Sequence, residues 1–140
     1  MKKFRIVERI PTVEEYNRLR AIVGWHPIPS ERALKGLNES LYSICIEKDD
    51  ELVAFGRVVG DGDIYFYVQD VIVLSDYQNN GLGSKVMDHL MEFIKARAPK
   101  KTGAYVGLMI SPGLESFYEK YGFSLLPEDS PAMGMWRNGH

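Results

Sequence analysis

The chain has 140 residues, which is enough for one domain with a buried core and too few for two. Apolar residues make up 45% and charged residues 26%, as in globular proteins, and a net charge of −2 gives no basic surface for nucleic acid. No run of about 18 apolar residues is present to span a membrane. A single cysteine excludes an internal disulfide and a cysteine-based metal site. We therefore expect a cytoplasmic protein without a signal peptide and without a metal.

The first forty residues predict a strand followed by two helices. Phe4–Ile10 has the composition of a short strand. Thr12 and Glu15 have the spacing of a capping box, which predicts a helix that ends at Gly24. Ser30 can cap a second, shorter helix. The apolar side chains predicted to face inward on this second helix are Ala33, Leu34 and Leu37.

Three strands are then predicted in succession, over residues 41–47, 52–59 and 64–74, with short polar turns between them. Such a meander forms an antiparallel sheet. The third strand is apolar on both faces for most of its length, which predicts that it is central and covered on both sides.

The second half of the chain predicts a mixed sheet. An amphipathic helix over residues 82–98 is followed by a strand over residues 104–110, and a right-handed crossover places that strand parallel to the strand over 64–74. A short helix over 114–120 and a last strand over 133–137 complete the pattern. The elements together predict one α/β domain.

A short glycine-bearing turn, Gln78–Ser84, connects an apolar strand to the long helix. The first main-chain N–H groups of a helix have no partner within it, so an anion can bind there, and Gly81 and Gly83 let it approach closely. The order Ser84-Lys85 does not fit the nucleoside-triphosphate loop, and Val86 does not fit the dinucleotide fingerprint. The remaining alternative is a simple tight turn at Asn80-Gly81.

The pattern Gln-x-x-Gly-x-Gly, on Gln78, Gly81 and Gly83, resembles the pyrophosphate loop of the GNAT superfamily of acetyl-CoA-dependent N-acetyltransferases. The order and length of the predicted elements resemble that fold over nearly the whole chain. The resemblance implies a single GNAT domain over residues 1–140. Its mixed, mostly antiparallel sheet would contain splayed parallel central strands and would be flanked by helices. It also implies acetyl-CoA as cosubstrate and no metal.

The same resemblance nominates the residues that bind acetyl-CoA. The pyrophosphate would lie on the loop residues Gln78, Asn79, Asn80, Gly81, Leu82, Gly83 and Ser84. The pantetheine arm would pair with the main chain of Val71, Ile72 and Val73, whose side chains can belong to the core at the same time. Ser111 stands where many members have an asparagine that touches the arm, and its hydroxyl could substitute.

Two residues are nominated for proton transfer. The segment Phe117–Phe123 resembles the Phe-Tyr-x-x-x-Gly-Phe segment of the family, which implies that Tyr118 protonates the departing CoA thiolate. The alternative for Tyr118 is a packed ring with its hydroxyl hydrogen-bonded. Asp70, eight residues before Gln78, is the candidate base, acting directly or through water; alternatively it orders a neighbouring group. His26, in the loop after the first helix, is a second candidate base.

Three functions remain open on these residues. The first is an N-acetyltransferase that moves acetyl to a small primary amine by direct attack. The second is an acyl-CoA sensor without turnover, and the third is a protein lysine or N-terminal acetyltransferase. Trp25-His26-Pro27 and Met133–Trp136 resemble aryl-alkylamine acetyltransferases of bacteria and plastids. Relatives are often dimers, so a homodimer is expected by analogy, with no nucleic-acid or membrane partner.

Overall fold

The computed structural model describes residues 3–137 and divides into two compact units between Leu108 and Met109. The first unit contains β1 (Arg5–Val7), α1 (Val13–Ile22), α2 (Ser30–Asn38), β2 (Tyr42–Lys48), β3 (Glu51–Gly60), β4 (Tyr65–Val73), α3 (Leu82–Arg97) and β5 (Tyr105–Gly107). The second contains α4 (Glu115–Glu119). None of the helices within residues 3–137 is long and apolar enough to cross a membrane.

The strands form one mixed sheet in the order β1-β2-β3-β4-β5. All neighbours are antiparallel except β4 and β5, which are parallel, so the predicted mixed and mostly antiparallel sheet is confirmed. Residues 64–74 were predicted to be central, and β4 does lie inside the sheet, between β3 and β5, although the middle strand of the five is β3. β3 has strands on both sides and is buried on both faces from Leu52 to Phe55, whereas in β4 buried residues alternate with half-buried ones.

Helices cover both faces of this sheet. The ring of Phe55 on β3 meets the ring of Tyr16 on α1 edge to face, with centroids 6.2 Å apart. A side chain on the next residue, Gly56, would instead point at Val86 and Leu90 on α3. Because consecutive residues of a strand face opposite ways, α1 and α3 lie on opposite faces of the sheet.

The two N-terminal helices begin in different ways. The capping box at α1 is confirmed: the Glu15 N–H donates to Thr12 Oγ1 at 3.1 Å, and the Thr12 N–H donates to Glu15 Oε1 at 2.9 Å. In α2, Pro29 occupies the cap position and Ser30 is already helical, so the predicted Ser30 cap is wrong. Leu34 is also 54% exposed, because it lies off the stripe that Ala33 and Leu37 bury.

The predicted last strand is absent from the second unit. Residues 131–137 have no regular structure, and Met133, Met135 and Trp136 are 96%, 83% and 70% exposed. Pro131 and Gly134 interrupt the segment, and neither residue favours a strand interior. Without that strand, the parallel pair β4–β5 lies at an edge of the described sheet instead of at its centre.

The packing of α3 on β3 makes Gly56 a sensitive position. A Cβ at Gly56 would lie 2.5 Å from Val86 Cγ1 and 3.1 Å from Leu90 Cδ1. We expect Gly56→Ala to lower the free energy of unfolding by about 1–3 kcal/mol through overpacking, measured by urea denaturation. Gly36→Ala in α2 is the matched control, since its Cβ would meet nothing within 4 Å and alanine favours helix. Equal stability of the two variants would contradict the packing described.

Candidate functional site

The long helix α3 begins with main-chain N–H groups that no side chain caps. Gly81 is the cap residue, with a left-handed φ of +74°, and a Cβ there would meet nothing within 4 Å. The first helical bond runs from the Lys85 N–H to the Gly81 carbonyl at 3.1 Å. The N–H groups of Leu82 and Gly83 therefore have no helical acceptor, which is the arrangement that binds anions.

Side chains of the loop hold the loop itself in shape. Asn80 Nδ2 donates to the carbonyls of Tyr77 and Gln78 at 3.0 and 3.2 Å. Gln78 Nε2 donates to the Val73 carbonyl at 3.1 Å and so ties the loop to the end of β4. Asn79 has a φ of +69°, which asparagine tolerates better than most residues. The polar residues predicted to bind phosphate thus order the main chain that would bind it.

A cation–π contact fixes the turn before this loop. The 3₁₀ turn Ser75–Tyr77 places the Tyr77 ring edge to face with Phe4, with centroids 6.1 Å apart. Lys48 Nζ lies 5.0 Å from the Tyr77 ring centroid and 5.3 Å from that of Phe4. Such contacts between an ammonium and aromatic faces stabilise by about 0.5–1 kcal/mol at exposed sites. They connect the turn that precedes Gln78–Ser84 to the residues around β1 and β2.

A β-bulge interrupts β4 at Asp70. Arg57 on β3 lies opposite Gln69, and Phe55 lies opposite Ile72, so the single residue Gly56 opposes two residues of β4. Asp70 has a φ of +58°, in the left-handed region. The bulge shifts the alternation of β4 by one residue from that point to its end.

This shift decides which main-chain groups face away from β3. Before the bulge, the main-chain groups of even-numbered residues face away from β3. The Ile64 carbonyl, for example, accepts from the Tyr105 N–H on the β5 side at 2.9 Å. After it, the Leu74 N–H donates to the Val53 carbonyl of β3 at 3.0 Å, so the even-numbered residues now face β3. Because strand main-chain groups alternate in direction, those of Val71 and Val73 face away from β3 and those of Ile72 face toward it.

The outward groups of Val71 and Val73 lie on an edge that β5 does not cover. β5 pairs with β4 only as far as Tyr67, opposite Gly107, and no other strand among residues 3–137 joins that side of β4. We call this unpaired side of β4, from Val68 to Val73, the open edge. Exposed main-chain donors and acceptors of this kind accept an added extended segment. Of the three residues predicted to pair with the pantetheine arm, Val71 and Val73 have the required orientation.

Asp70 is enclosed by donors. Its side chain is fully buried, and Oδ2 accepts from Arg57 Nε at 2.9 Å and from the Tyr16 hydroxyl at 2.7 Å. Oδ1 accepts from Gln69 Nε2 at 3.0 Å. Burial, and then the negative charge of Asp70, raises the pKa of Tyr16 above its usual value. Neither Arg57 nor Tyr16 was predicted as a site residue. The signal was an arginine within the apolar run of β3, which needs a buried anion as partner.

The loop that follows α1 is tied to the same cluster. Arg20 is buried, and its Nε donates to the His26 carbonyl at 2.7 Å. The Arg20 guanidinium carbon lies 5.4 Å from the Trp25 ring centroid and 5.6 Å from that of Tyr16. The predicted candidate His26 is therefore held through its main chain, and Tyr16 connects this loop to Asp70.

The second unit contains the other two predicted site residues. Tyr118 on α4 is buried and packs edge to face with Phe117 and Phe123, and burial raises the pKa of its phenol. Its hydroxyl makes no hydrogen bond with residues 3–137, and it is not among the fully enclosed unpaired atoms. Ser111 is exposed, and its carbonyl accepts from the Leu114 N–H at 3.2 Å.

Residues 3–137 contain neither an accessible cysteine nor a group of side chains that could bind a metal ion. Cys45 lies on β2 and is buried, which raises the pKa of its thiol to about 12 and keeps it protonated. No cluster of three or more His, Cys, Asp or Glu side chains suited to a metal ion occurs between residues 3 and 137.

Comparison with known families identifies the class of protein. A family model described as an acetyltransferase (GNAT) domain matches residues 39–125, which is more than half of the chain. The chain therefore belongs to the GNAT acetyltransferase family, as the glycine loop and element order predicted.

Individual relatives agree with this assignment. An uncharacterized ycf52-like N-acetyltransferase of Prochlorococcus marinus is 31% identical over 118 residues, 81% of this chain and 63% of that protein. Serotonin N-acetyltransferase 2, chloroplastic, of Oryza sativa subsp. japonica is 29% identical over 126 residues, 87% of this chain and 61% of that protein. The chain thus spans less than two thirds of the length of these two relatives.

A solved structure is similar over nearly the whole chain. It is a protein of unknown function from meticillin-resistant Staphylococcus aureus, described as a probable acetyltransferase, with 34% sequence identity and a TM-score of 0.88. The match covers 96% of this chain and 100% of that one. The α/β fold with a mixed sheet flanked by helices is therefore that of GNAT structures.

The open space at Gly81 leads to a test of the predicted anion site. We expect Gly81→Ala to weaken coenzyme A binding about tenfold, since about 1.4 kcal/mol is lost when a Cβ displaces the ligand from the main chain. Isothermal titration calorimetry measures this change. Gly103→Ala is the matched control: its φ of +70° imposes the same backbone strain, and its Cβ also meets nothing within 4 Å. Equal loss of affinity in both variants would refute a site at Gly81.

Proposed function

We propose that the chain is an N-acetyltransferase that transfers acetyl from acetyl-CoA to a small primary amine by direct attack. The observation that carries this proposal is the succession, within about a dozen residues, of an outward-facing strand edge and an uncapped helix N-terminus. Membership of the GNAT family supports the same activity.

The first unit offers complementary contacts for an elongated anionic thioester. The N–H groups that begin α3, around Gly81 and Gly83, suit the pyrophosphate because each donates to an oxygen in the positive field of the helix end. The amide-bearing pantetheine arm suits the open edge, where Val71 offers its N–H and carbonyl and Val73 offers its N–H, since the Val73 carbonyl is bound by Gln78. Gln78 joins the two parts through its bond to the Val73 carbonyl. Positioning of this kind contributes much of the rate enhancement in two-substrate reactions.

The chemistry that we assign is a single acyl transfer. The amine nitrogen forms a bond to the thioester carbonyl carbon, the carbon–sulfur bond breaks, the amine nitrogen releases a proton to water, and the thiolate gains one. The Val71 N–H can stabilise charge on the carbonyl oxygen as the amine attacks. Tyr118 can supply the proton to the thiolate, since its raised pKa keeps the phenol protonated at neutral pH. Cys45 is buried and protonated, which argues against a covalent acetyl-enzyme route.

For the acceptor we propose an aryl-alkylamine. The rice relative is named a serotonin N-acetyltransferase, and serotonin is an amine of this class. Trp25, 39% exposed in the loop tied to Asp70 by Arg20 and Tyr16, supplies an aromatic surface for such a ring. The same relative is named as chloroplastic, whereas we keep the cytoplasm as our own expectation for this chain. A homodimer likewise remains an expectation drawn from the family.

A thiol-release assay tests the proposed activity. We expect coenzyme A to appear when acetyl-CoA is mixed with the protein and an aryl-alkylamine such as serotonin or tryptamine, and more slowly with polyamines, amino acids and peptides. Tight binding of acetyl-CoA without turnover on any amine would instead indicate an acyl-CoA sensor. Preference for lysine-containing peptides or free N-termini would indicate a protein acetyltransferase.

Replacement of Tyr118 tests the assigned proton donor. We expect Tyr118→Phe to lower kcat about 100-fold, which is the lower range for general acid catalysis, with little change in KM for acetyl-CoA. In the unaltered protein the rate should fall only above the usual tyrosine pKa of about 10, because burial shifts this pKa upward and the protonated phenol is the active form. Tyr121→Phe, on the adjacent turn, is the control. An unchanged kcat for Tyr118→Phe would remove this residue from the mechanism.

A further inference from the structure

A buried ion pair lies directly at the bulge of β4. Arg57 on β3 and Asp70 on β4 are joined by a 2.9 Å bond from Nε to Oδ2, with side-chain exposures of 15% and 0%. The Arg57 Nη1 also donates to Ser40 Oγ at 3.1 Å and to the Gly36 carbonyl at 3.2 Å, near the end of α2. The pair is therefore anchored to a helix as well as to two strands.

The backbone at Asp70 needs such an anchor. A residue other than glycine in the left-handed region costs of order 1–3 kcal/mol and persists only when its surroundings hold it. Gln69 and Asp70 are consecutive, yet both hydrogen-bond on the side of the sheet where Arg57 lies. A regular strand would turn one of the two to the opposite face. The contacts of the Asp70 carboxylate thus favour the bulged conformation over a regular one.

The bulge in turn determines what the open edge presents. Without it, the alternation seen from Ile64 to Val68 would continue, and the main-chain groups of Val71 and Val73 would point at β3. With it, they point outward. One local conformation at Asp70 therefore sets the direction of both groups.

The surroundings of Asp70 do not suit a general base. A base must reach the amine proton directly or through a water molecule. The Asp70 side chain has no exposed surface, and three protein donors already occupy its oxygens. Arg57 pairs with it from β3, Tyr16 from α1 and Gln69 from β4.

We propose that Asp70 and Arg57 are positioning residues: their ion pair holds the β4 bulge and so aims the Val71 and Val73 main chain at the thioester and its arm. This inference rests on the acetyltransferase function proposed above. It assigns Asp70 the second of the two roles that the sequence left open, the ordering of a neighbouring group.

Tyr16 connects this arrangement to the loop that follows α1, which contains Trp25 and His26. Its hydroxyl donates to Asp70 at 2.7 Å, and its ring centroid lies 5.8 Å from the guanidinium carbon of Arg57 and 5.6 Å from that of Arg20. Arg20 in turn holds Trp25 and the His26 carbonyl. The same network therefore reaches from the bulge to the loop for which we propose amine binding.

A double-mutant cycle in the full-length protein tests the proposal. The variants are Asp70→Asn, Arg57→Met and the double substitution, assayed with acetyl-CoA and an amine that the unaltered protein acetylates. We expect each single substitution to lower kcat about 10- to 100-fold. The double variant should have a kcat no more than about twofold below that of the single variants, because all three variants lose the same ion pair. Arginine cannot act as a base, so equal losses at both positions are not explained by proton abstraction. In Asp70→Asn, the pH–rate profile should keep the same shape at low and at high pH as in the unaltered protein.

A second measurement does not depend on turnover. Amide hydrogen exchange in the unaltered protein should be fast at Val71 and Val73 and slow at Ile72, as their directions require. Arg57→Met should reduce this contrast. Arg57→Lys keeps a cation at the position and should recover part of both kcat and the exchange pattern. Arg9→Met, which breaks the 2.8 Å ion pair with Glu15 away from the bulge, controls for general destabilisation and should leave kcat unchanged.

Three outcomes would overturn the proposal. In the first, Asp70→Asn abolishes turnover and removes the fall in rate at low pH, while Arg57→Met keeps kcat within about twofold. This result would identify Asp70 as the base. In the second, both variants retain the original kcat and exchange pattern. In the third, the unaltered protein binds coenzyme A but acetylates no amine, so that the acetyltransferase function fails and the positioning role fails with it. Melting temperatures separate each of these from simple unfolding.

Discussion

One extra residue in β4 is the constraint on which the candidate site depends. The main-chain groups of a strand inside a sheet hydrogen-bond alternately to its two neighbours, so few remain free to bind a ligand. β4 meets this limit in two ways. β5 is short and stops pairing at Gly107, and the bulge at Asp70 reverses the alternation beyond that point. The same strand therefore pairs with β5 near its start and leaves an unpaired edge near its end.

The glycine loop follows a similar logic, since the groups available for binding belong to the main chain. Gly81 adopts a left-handed conformation and leaves space where a side chain would stand. Gln78 and Asn80 use their amides to brace the loop. A loop of this kind recognises phosphate through N–H groups that every residue possesses, so its sequence signature records backbone shape. This explains why glycine and short polar amides define the motif.

Local patterns were sufficient to predict most of the fold. The capping box at Thr12 and Glu15 and the amphipathic period of α3 depend on neighbours a few residues apart, and both were predicted within one or two residues. The last strand could not be predicted correctly, because strand formation needs a partner that the residues themselves do not specify. The central position of β3 likewise depends on sheet order, which alternating apolar residues leave open.

The site was predictable to the extent that it coincides with a local motif. Gln78–Ser84 is such a motif, and Val71 and Val73 follow from their place before it. The bulge was not predictable, since it results from the pairing of Gly56 with two residues of β4, and the partnership of Arg57 with Asp70 joins residues on different strands. The only sequence feature that indicated their contact was the presence of a charged residue in each of two apolar strands.

The protection of Cys45 has a practical benefit for enzymology. The chain has a single cysteine, and in the folded protein its sulfur is enclosed on β2 and almost entirely protonated near neutral pH. Chromogenic disulfide reagents respond to thiolates, so the native protein itself contributes almost no colour. Free coenzyme A can then be followed continuously with little background from the protein, and a slow rise in signal without amine or acetyl-CoA would report denaturation of the sample.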